Sequence, residues 1–162
     1  MKIGNILDVT VDTACRIVEQ QGIDSYSFKL VEKNSLLLHG ELGTDINKLL
    51  EPDFPVLDIR LKDSLTKHIE HPISEKIVYF SDAPADDQQV NTFATNYYYY
   101  DTINNISCRI VRAKRPGIGV TGIYIPKLKD GRSLCLYAEN LDSVHQAKIM
   151  SIFYSLRYSQ SH

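Results

Sequence analysis

Apolar and polar residues follow two different periods along this chain. Over residues 6–21 Leu7, Val11, Ala14 and Val18 recur at four-three-four spacing, the period of one helical face, and Gly22 follows as a stop. That predicts an amphipathic N-terminal helix capped by Asp8, Thr10 or Asp12. From residue 25 the period drops to two. Tyr26, Phe28 and Leu30 alternate with Ser27, Lys29 and Val31, Lys33-Asn34-Ser35 turns, and residues 36–42 return, which predicts a β-hairpin. Residues 43–55 read as a loop with one turn of helix at 46–50, and 56–61 as a strand. Residues 64–70 read as a short helix ending before Pro72, 77–80 as a short strand, and the acidic run 81–87 as a loop.

The rest of the chain predicts a meander and a terminal helix. Residues 92–100, 106–113, 118–125 and 133–139 have strand character, separated by turns at Asn104-Asn105, Arg115-Pro116-Gly117 and Lys129-Asp130-Gly131. Asp142 or Ser143 caps a helix running to about Tyr158, with Ile149, Ile152, Phe153 and Leu156 as its main stripe. Met150, Tyr154 and Tyr158 lie round the cylinder from that stripe, so the helix has a second apolar side that either loops or another copy of the chain must cover. The expected architecture is α+β: one domain over 1–162, a curved antiparallel sheet of six to eight strands packed against N-terminal and C-terminal helices.

Tyrosine and charge single out residues 96–139. In a strand Tyr97 and Tyr99 face one way and Tyr98 and Tyr100 the other, so one pair is expected in the core and the other in cross-strand packing or a binding surface. The net charge of −2 hides a polarity: residues 1–108 carry 9 Lys+Arg against 17 Asp+Glu, and residues 109–132 carry 7 against 1. Arg109, Arg112, Lys114, Arg115, Lys127, Lys129 and Arg132 would form a basic patch on an acidic body if their strands adjoin. The acidic remainder argues against nonspecific nucleic-acid binding.

Gly117, Gly119 and Gly122 spell the letters of a dinucleotide-binding fingerprint, but Ile123-Tyr124-Ile125-Pro126 follows where a helix is required, so that chemistry is excluded. Glycines in a strand instead mark a bulge or the close approach of something bulky, here a tyrosine ring or a ligand. The ligand version is an anion site made by N–H groups around Gly117 with Lys114 and Arg115; an exposed hairpin tip explains the same letters. His68 and His71 stand three apart without a third ligand, His145 falls on the main stripe of the last helix, and His39 has no Ser or Cys partner, so neither a metal site nor a catalytic triad is expected. Cys15, Cys108 and Cys135 are widely spaced and read as buried thiols in a reducing compartment. Without a signal-like N-terminus or a membrane-length apolar run, a cytoplasmic location is the default.

The closing unit, Ser133-Leu134-Cys135-Leu136-Tyr137-Ala138-Glu139 followed by a helix ending Ile152-Phe153-Tyr154-Ser155-Leu156-Arg157-Tyr158, resembles the last strand and helix of PsbP-like α/β/α sandwich domains. The resemblance covers about the last sixth of the chain, implies an adaptor-like, non-enzymatic role, and carries over no site residues. Together these features favour a non-catalytic interaction or ligand-binding domain without cofactor. Its candidate binding residues are Tyr98, Tyr100, Arg112, Lys114, Arg115, Gly117 and Lys127, meeting an anionic small molecule or an acidic protein surface. The alternative is a small dimeric or chaperone-like subunit pairing through Met150, Tyr154 and Tyr158; an enzyme is the least supported class, because no nucleophile, base and orienting group line up.

Overall fold

The structure, a computed structural model, describes residues 1–20, 25–52, 54–68 and 78–159. Where the sequence reads as one domain, the chain divides into two compact units, Met1–Leu50 with Thr95–His162, and Glu51–Ala94.

The larger unit is built on a seven-stranded antiparallel sheet. Its strands are β3 (Cys15–Gln20), β4 (Tyr26–Glu32), β5 (Ser35–Gly43), β8 (Asn96–Ile103), β9 (Ile106–Ala113), β10 (Val120–Ile125) and β11 (Ser133–Glu139), in the order β3-β4-β5-β11-β10-β9-β8. Lys33-Asn34 and Asn104-Asn105 close the β4–β5 and β8–β9 hairpins with positive φ at both turn residues, the geometry that matches the twist of the flanking strands. β1 (Lys2–Ile3), β2 (Leu7–Asp8) and β12 (Arg157–Tyr158) form a separate three-stranded sheet.

The N-terminal helix expected over residues 6–21 does not form; β2 and β3 occupy that stretch. Leu7 and Val9 are both buried, as are Cys15 and, in part, Ile17, so the period that decides is two, and the four-three-four coincidence is overridden by pairing. Val9, Thr10, Val11, Thr13, Ile17 and Val18 are all β-branched, which favours the same outcome.

The terminal helix α3 (Ser143–Tyr154) starts as expected, with Asp142 accepting a 2.8 Å bond from His145 N–H. It stops a turn earlier than its pattern suggests. Ser155 Oγ accepts from Thr10 N–H, Asn104 Nδ2 donates to Leu156 O at 2.8 Å, and the chain then joins β2 as β12. Ile149, Ile152 and Phe153 of α3 pack with Ile3 and Leu7 onto the sheet face carrying Phe28, Leu38, Ile110, Ile123 and Leu136. Buried Gln146 ties the helix to that sheet, donating to Ala113 O at 3.0 Å and Thr121 Oγ1 at 3.2 Å.

In the smaller unit β6 (Val56–Asp58) pairs in parallel with β7 (Tyr79–Ser81), flanked by a 3-10 turn (Ile59–Leu61), α1 (Lys62–His68) and α2 (Pro84–Gln89). The acidic run expected to be a loop is in part α2. Pro84 opens it and Asp86 and Asp87 fill its first turn, which is a helix start written in the sequence. Tyr79 stacks on Phe93 with ring centroids 4.8 Å apart, and Phe54 meets Tyr79 edge-on. The His68/His71 pair lies outside the residues whose side chains are described.

Candidate functional site

Successive residues of each strand face opposite sides of the large sheet, and the pairing registers align them in transverse rows. On the side away from α3, one row runs Tyr100–Arg109–Tyr124–Cys135–Glu41 across five adjacent strands, and the next runs Tyr98–Val111–Gly122–Tyr137–His39. We call this the tyrosine face and the opposite side the helix face.

A strap of residues 44–50 crosses the middle of the tyrosine face. Its Ile46 and Leu49 bury themselves with Val111 and Cys135, and Tyr98, Tyr124 and Tyr137 pack partly against them. Leu49 adopts φ +48°, a conformation that costs a non-glycine residue energy, and Leu49 N–H donates to Asn47 Oδ1 at 2.9 Å within the strap. Gly122 makes room for it, since a Cβ there would lie 2.6 Å from Leu49 Cδ1. Gly119 serves another neighbour: with φ +105°, it leaves space for the Asn96 side chain, whose Oδ1 accepts from Val120 N–H at 2.7 Å. The bulky groups that the glycine spacing announces are therefore Leu49 and Asn96, neither a tyrosine ring nor a ligand.

The N–H groups around Gly117 are engaged internally. Gly117 N–H donates to Leu141 O at 2.7 Å, Ile118 N–H to Arg115 O at 3.4 Å and Gly119 N–H to Asn140 Oδ1 at 3.2 Å. This removes the backbone donors that an anion site at the hairpin tip requires; Gly117 is a turn residue with φ +78°.

Each pair of tyrosines contributes one half-buried ring and one exposed ring. Tyr99 packs on the helix-face core and Tyr98 on the strap cluster, while Tyr97 is 56% and Tyr100 81% exposed. The expectation of one core pair and one outward pair fails because β8 is the edge strand and each covering layer reaches only part of it. Burial, followed by a hydrogen bond with the Tyr154 hydroxyl, pushes the Tyr99 phenol up to about 12.

The basic residues do not gather into one patch. Arg112 pairs opposite Tyr97, and Lys114 Nζ sits 5.3 Å from the Tyr97 ring centroid, both toward the helix face. Arg132 bonds Asp130 at 2.6 Å, and Lys129 Nζ lies 4.2 Å from the Tyr158 ring centroid. Arg115 and Lys127 are exposed. Arg109, left out of the candidate list on sequence, is the one that faces the tyrosines. Its guanidinium carbon lies 5.4 Å from the Tyr124 ring centroid, Nη2 donates to Lys48 O of the strap, and Nε is buried with no hydrogen-bond partner among the described residues.

Beside the strap, Tyr100, Arg109 and Tyr124 form the floor of a groove of about 590 Å³, with Thr102, Ser107 and Pro126 along it. That is the size of a small-molecule site. Cys108 and Asp101 border the groove, but as the pair between two tyrosine-face rows they turn their side chains to the helix face. Burial pushes the Cys108 thiol up to about 11, and it donates to Asp101 O. A second groove of about 500 Å³, lined by His39, Tyr137, Glu139, Leu36 and Leu141, lies at the other end of β5 and β11, where His39 stacks on Tyr137.

Met150, Tyr154 and Tyr158 do not share a helical side. Met150 packs partly against the core, Tyr154 is 48% exposed, and Tyr158 stands in β12. His145 is exposed and bonds Asp142 through Nδ1 at 2.8 Å. The three cysteines are free and buried, as their apolar neighbours suggest. Among the described residues, no cluster of three His, Cys, Asp or Glu stands ready for a metal ion, and no helix is long and apolar enough to cross a membrane. Comparison of the chain with protein-family models, curated proteins and solved structures yields no match.

Proposed function

We propose that this domain is a non-catalytic binding module that receives an anionic ligand in the groove of the tyrosine face. The observation that carries the reading is the row Tyr100–Arg109–Tyr124, in which a guanidinium whose buried Nε has no hydrogen-bond partner among the described residues lies between two phenol rings at the floor of a ligand-sized groove. Arg109 supplies charge-assisted hydrogen bonds, and the rings supply apolar area with a polar tip. A binding role is favoured over catalysis because the groove holds no thiol nucleophile among its described residues: Cys108, next to Arg109 in sequence, turns its thiol to the helix-face core and donates to Asp101 O.

This moves the binding surface from the hairpin tip to the sheet. Tyr100 stays in it, Lys127 flanks it beside Pro126, Tyr98 packs against the strap cluster instead, and Arg112, Lys114, Arg115 and Gly117 leave it. A panel of anionic small molecules titrated into wild type, Arg109→Met and the Lys114→Ala/Arg115→Ala pair tests this. Binding lost only in Arg109→Met is the expected result. Binding lost only in the double variant returns the site to the tip and overturns the reading. The alternative of a dimer through the terminal helix keeps the exposed Val144 and Tyr154 as support, but lacks a continuous apolar side, because α3 ends before Tyr158.

A further inference from the structure

The β8–β9 hairpin ends one side of the large sheet, and its turn fixes which backbone groups of β8 face outward. In a hairpin with a two-residue turn, the residues flanking the turn form a hydrogen-bonded pair. Ile103 and Ile106 are that pair, and one unbroken register runs from them to Asn96 and Ala113. Odd-numbered residues of β8 therefore bond β9, and Lys114 N–H continues the alternation by donating to Thr95 O at 2.9 Å. Asn96, Tyr98, Tyr100 and Thr102 direct their N–H and C=O groups away from β9, to a side on which no strand pairs among the described residues.

Such an edge accepts a further strand unless lysine, proline, a bulge or brevity blocks it. β8 has eight residues, neither lysine nor proline, and four tyrosines, which favour strands. β3, at the opposite edge, is shorter and guarded by Arg16 and Glu19.

The charges around β8 identify the strand that fits. Asp101 is its one charged residue, and it lies on the helix face. On the same face, Tyr97 stands among cations: Arg112 is its partner on β9, and Lys114 Nζ lies 5.3 Å from its ring centroid. A second β8 laid antiparallel about a two-fold axis at Tyr99 bonds the backbone of Tyr98 to that of Tyr100 in the other copy. The same axis sets Asp101 of each copy beside Tyr97 of the other, against Arg112 and Lys114. An axis at Asp101 brings the two carboxylates face to face, one at Tyr97 leaves Tyr100 and Asp101 without a partner, and one at Tyr100 calls on Thr102 N–H, which Asp101 Oδ1 holds at 2.7 Å.

We infer that β8 pairs with β8 of a second copy about a two-fold axis at Tyr99, joining the two large sheets edge to edge. The contact is isologous and closes at two copies. It is distinct from a dimer through the terminal helix and does not depend on a ligand in the groove.

The test measures the solution mass of the whole chain by sedimentation equilibrium, with circular dichroism as the check on folding. Wild type should be a dimer, and a chain that stays monomeric up to about 1 mM overturns the inference. Tyr100→Pro removes an N–H that β9 does not use, so it should keep the wild-type spectrum and give a monomer. Arg112→Glu and Asp101→Arg should each weaken dimerisation at least tenfold. Combined, they should recover part of the loss, because within one copy Asp101 pairs with Cys108 and Arg112 with Tyr97, and the two charges meet only across the axis. If the proline variant misfolds, this charge set decides. Val144→Glu, at an exposed position of α3, should leave the dimer intact. Tyr99→Cys should crosslink two copies on oxidation, since the Cα atoms of a non-hydrogen-bonded pair lie about 4.5 Å apart, and Tyr97→Cys should not. A dimer that survives Tyr100→Pro, a dimer lost in Val144→Glu, or a charge double no better than the worse single overturns the pairing. Crosslinking at residue 97 and not at 99 overturns its axis.

Discussion

The two faces of the large sheet use the same strands to opposite ends. On the helix face, α3 and the small three-stranded sheet cover an apolar layer, and its central residues Ile110, Ile123, Leu134 and Phe153 are wholly buried. On the tyrosine face a strap of seven residues buries Val111, Gly122 and Cys135 and packs partly on Tyr98, Tyr124 and Tyr137, so that among the described residues this layer mixes apolar groups with tyrosine, arginine and glutamate tips. The difference teaches where stability and recognition lie. An unbroken layer of aliphatic side chains stabilises through area removed from water. A layer with half-buried polar tips contributes less and retains groups that can exchange water for a ligand.

The sharpest way to break this contrast is to cut into each face in turn. Phe153→Ala on the helix face should cost about 3–5 kcal/mol in denaturant unfolding, since the ring is fully buried. On the other face Gly122→Val should cost about 1–3 kcal/mol, because its side chain meets Leu49 and the Leu136 carbonyl. Adding Leu49→Ala should recover part of that loss, and strict additivity of the two changes would show that the strap does not lie on Gly122. Asn96→Ala, which strands the Val120 N–H and empties the space at Gly119, should cost about 1–3 kcal/mol.

Alkaline titration compares the faces by a different route. Burial pushes Cys108 on the helix face up to about 11 and Cys135 under the strap up to about 12, and it raises Tyr99 to about 12 as well. These groups hold their protons in the folded chain and release them in the unfolded chain near 9 for thiols and 10 for the phenol. The folded state therefore binds more protons, and stability is full below pH 9 and falls as pH rises toward about 12. Melting temperature against pH should show this decline, with Cys135→Ala making it shallower; no change in slope would mean that the strap admits water to that thiol. The smallest expected effect is Tyr100→Ser, which should change stability by no more than about 0.5 kcal/mol. A larger loss would make that exposed ring part of the core and weaken the contrast between the faces.

Much of the large sheet was legible from alternation and turn residues. Ile106–Ala113 and Ser133–Glu139 match their expected strands to the residue. The first helix was misread because four apolar residues happened to satisfy the helical period while Leu7, Val9, Cys15 and Ile17 satisfied the strand period more locally. Half of the groove was within reach as well. A two-residue turn at Asn104-Asn105 fixes the register that sets Arg109 opposite Tyr100, so the hairpin alone links the two. Tyr124 was not accessible in this way. Its pairing with Arg109 crosses the longer 114–119 connection, whose geometry depends on Asn96 and Asn140, residues distant in sequence. The strap was least legible of all, because Leu49 at positive φ contradicts local preference and is explained only by the vacancy above Gly122.

Because Arg109 donates to the Lys48 carbonyl while its side chain lines the groove, the strap and the groove draw on the same guanidinium. Their free energies are consequently linked. A ligand that turns the guanidinium toward itself loosens the strap by as much as an anchored strap weakens the ligand. Affinity for the proposed ligand would thus be adjustable from residues 44–50, through how firmly they rest on the sheet, without altering a single atom that touches it.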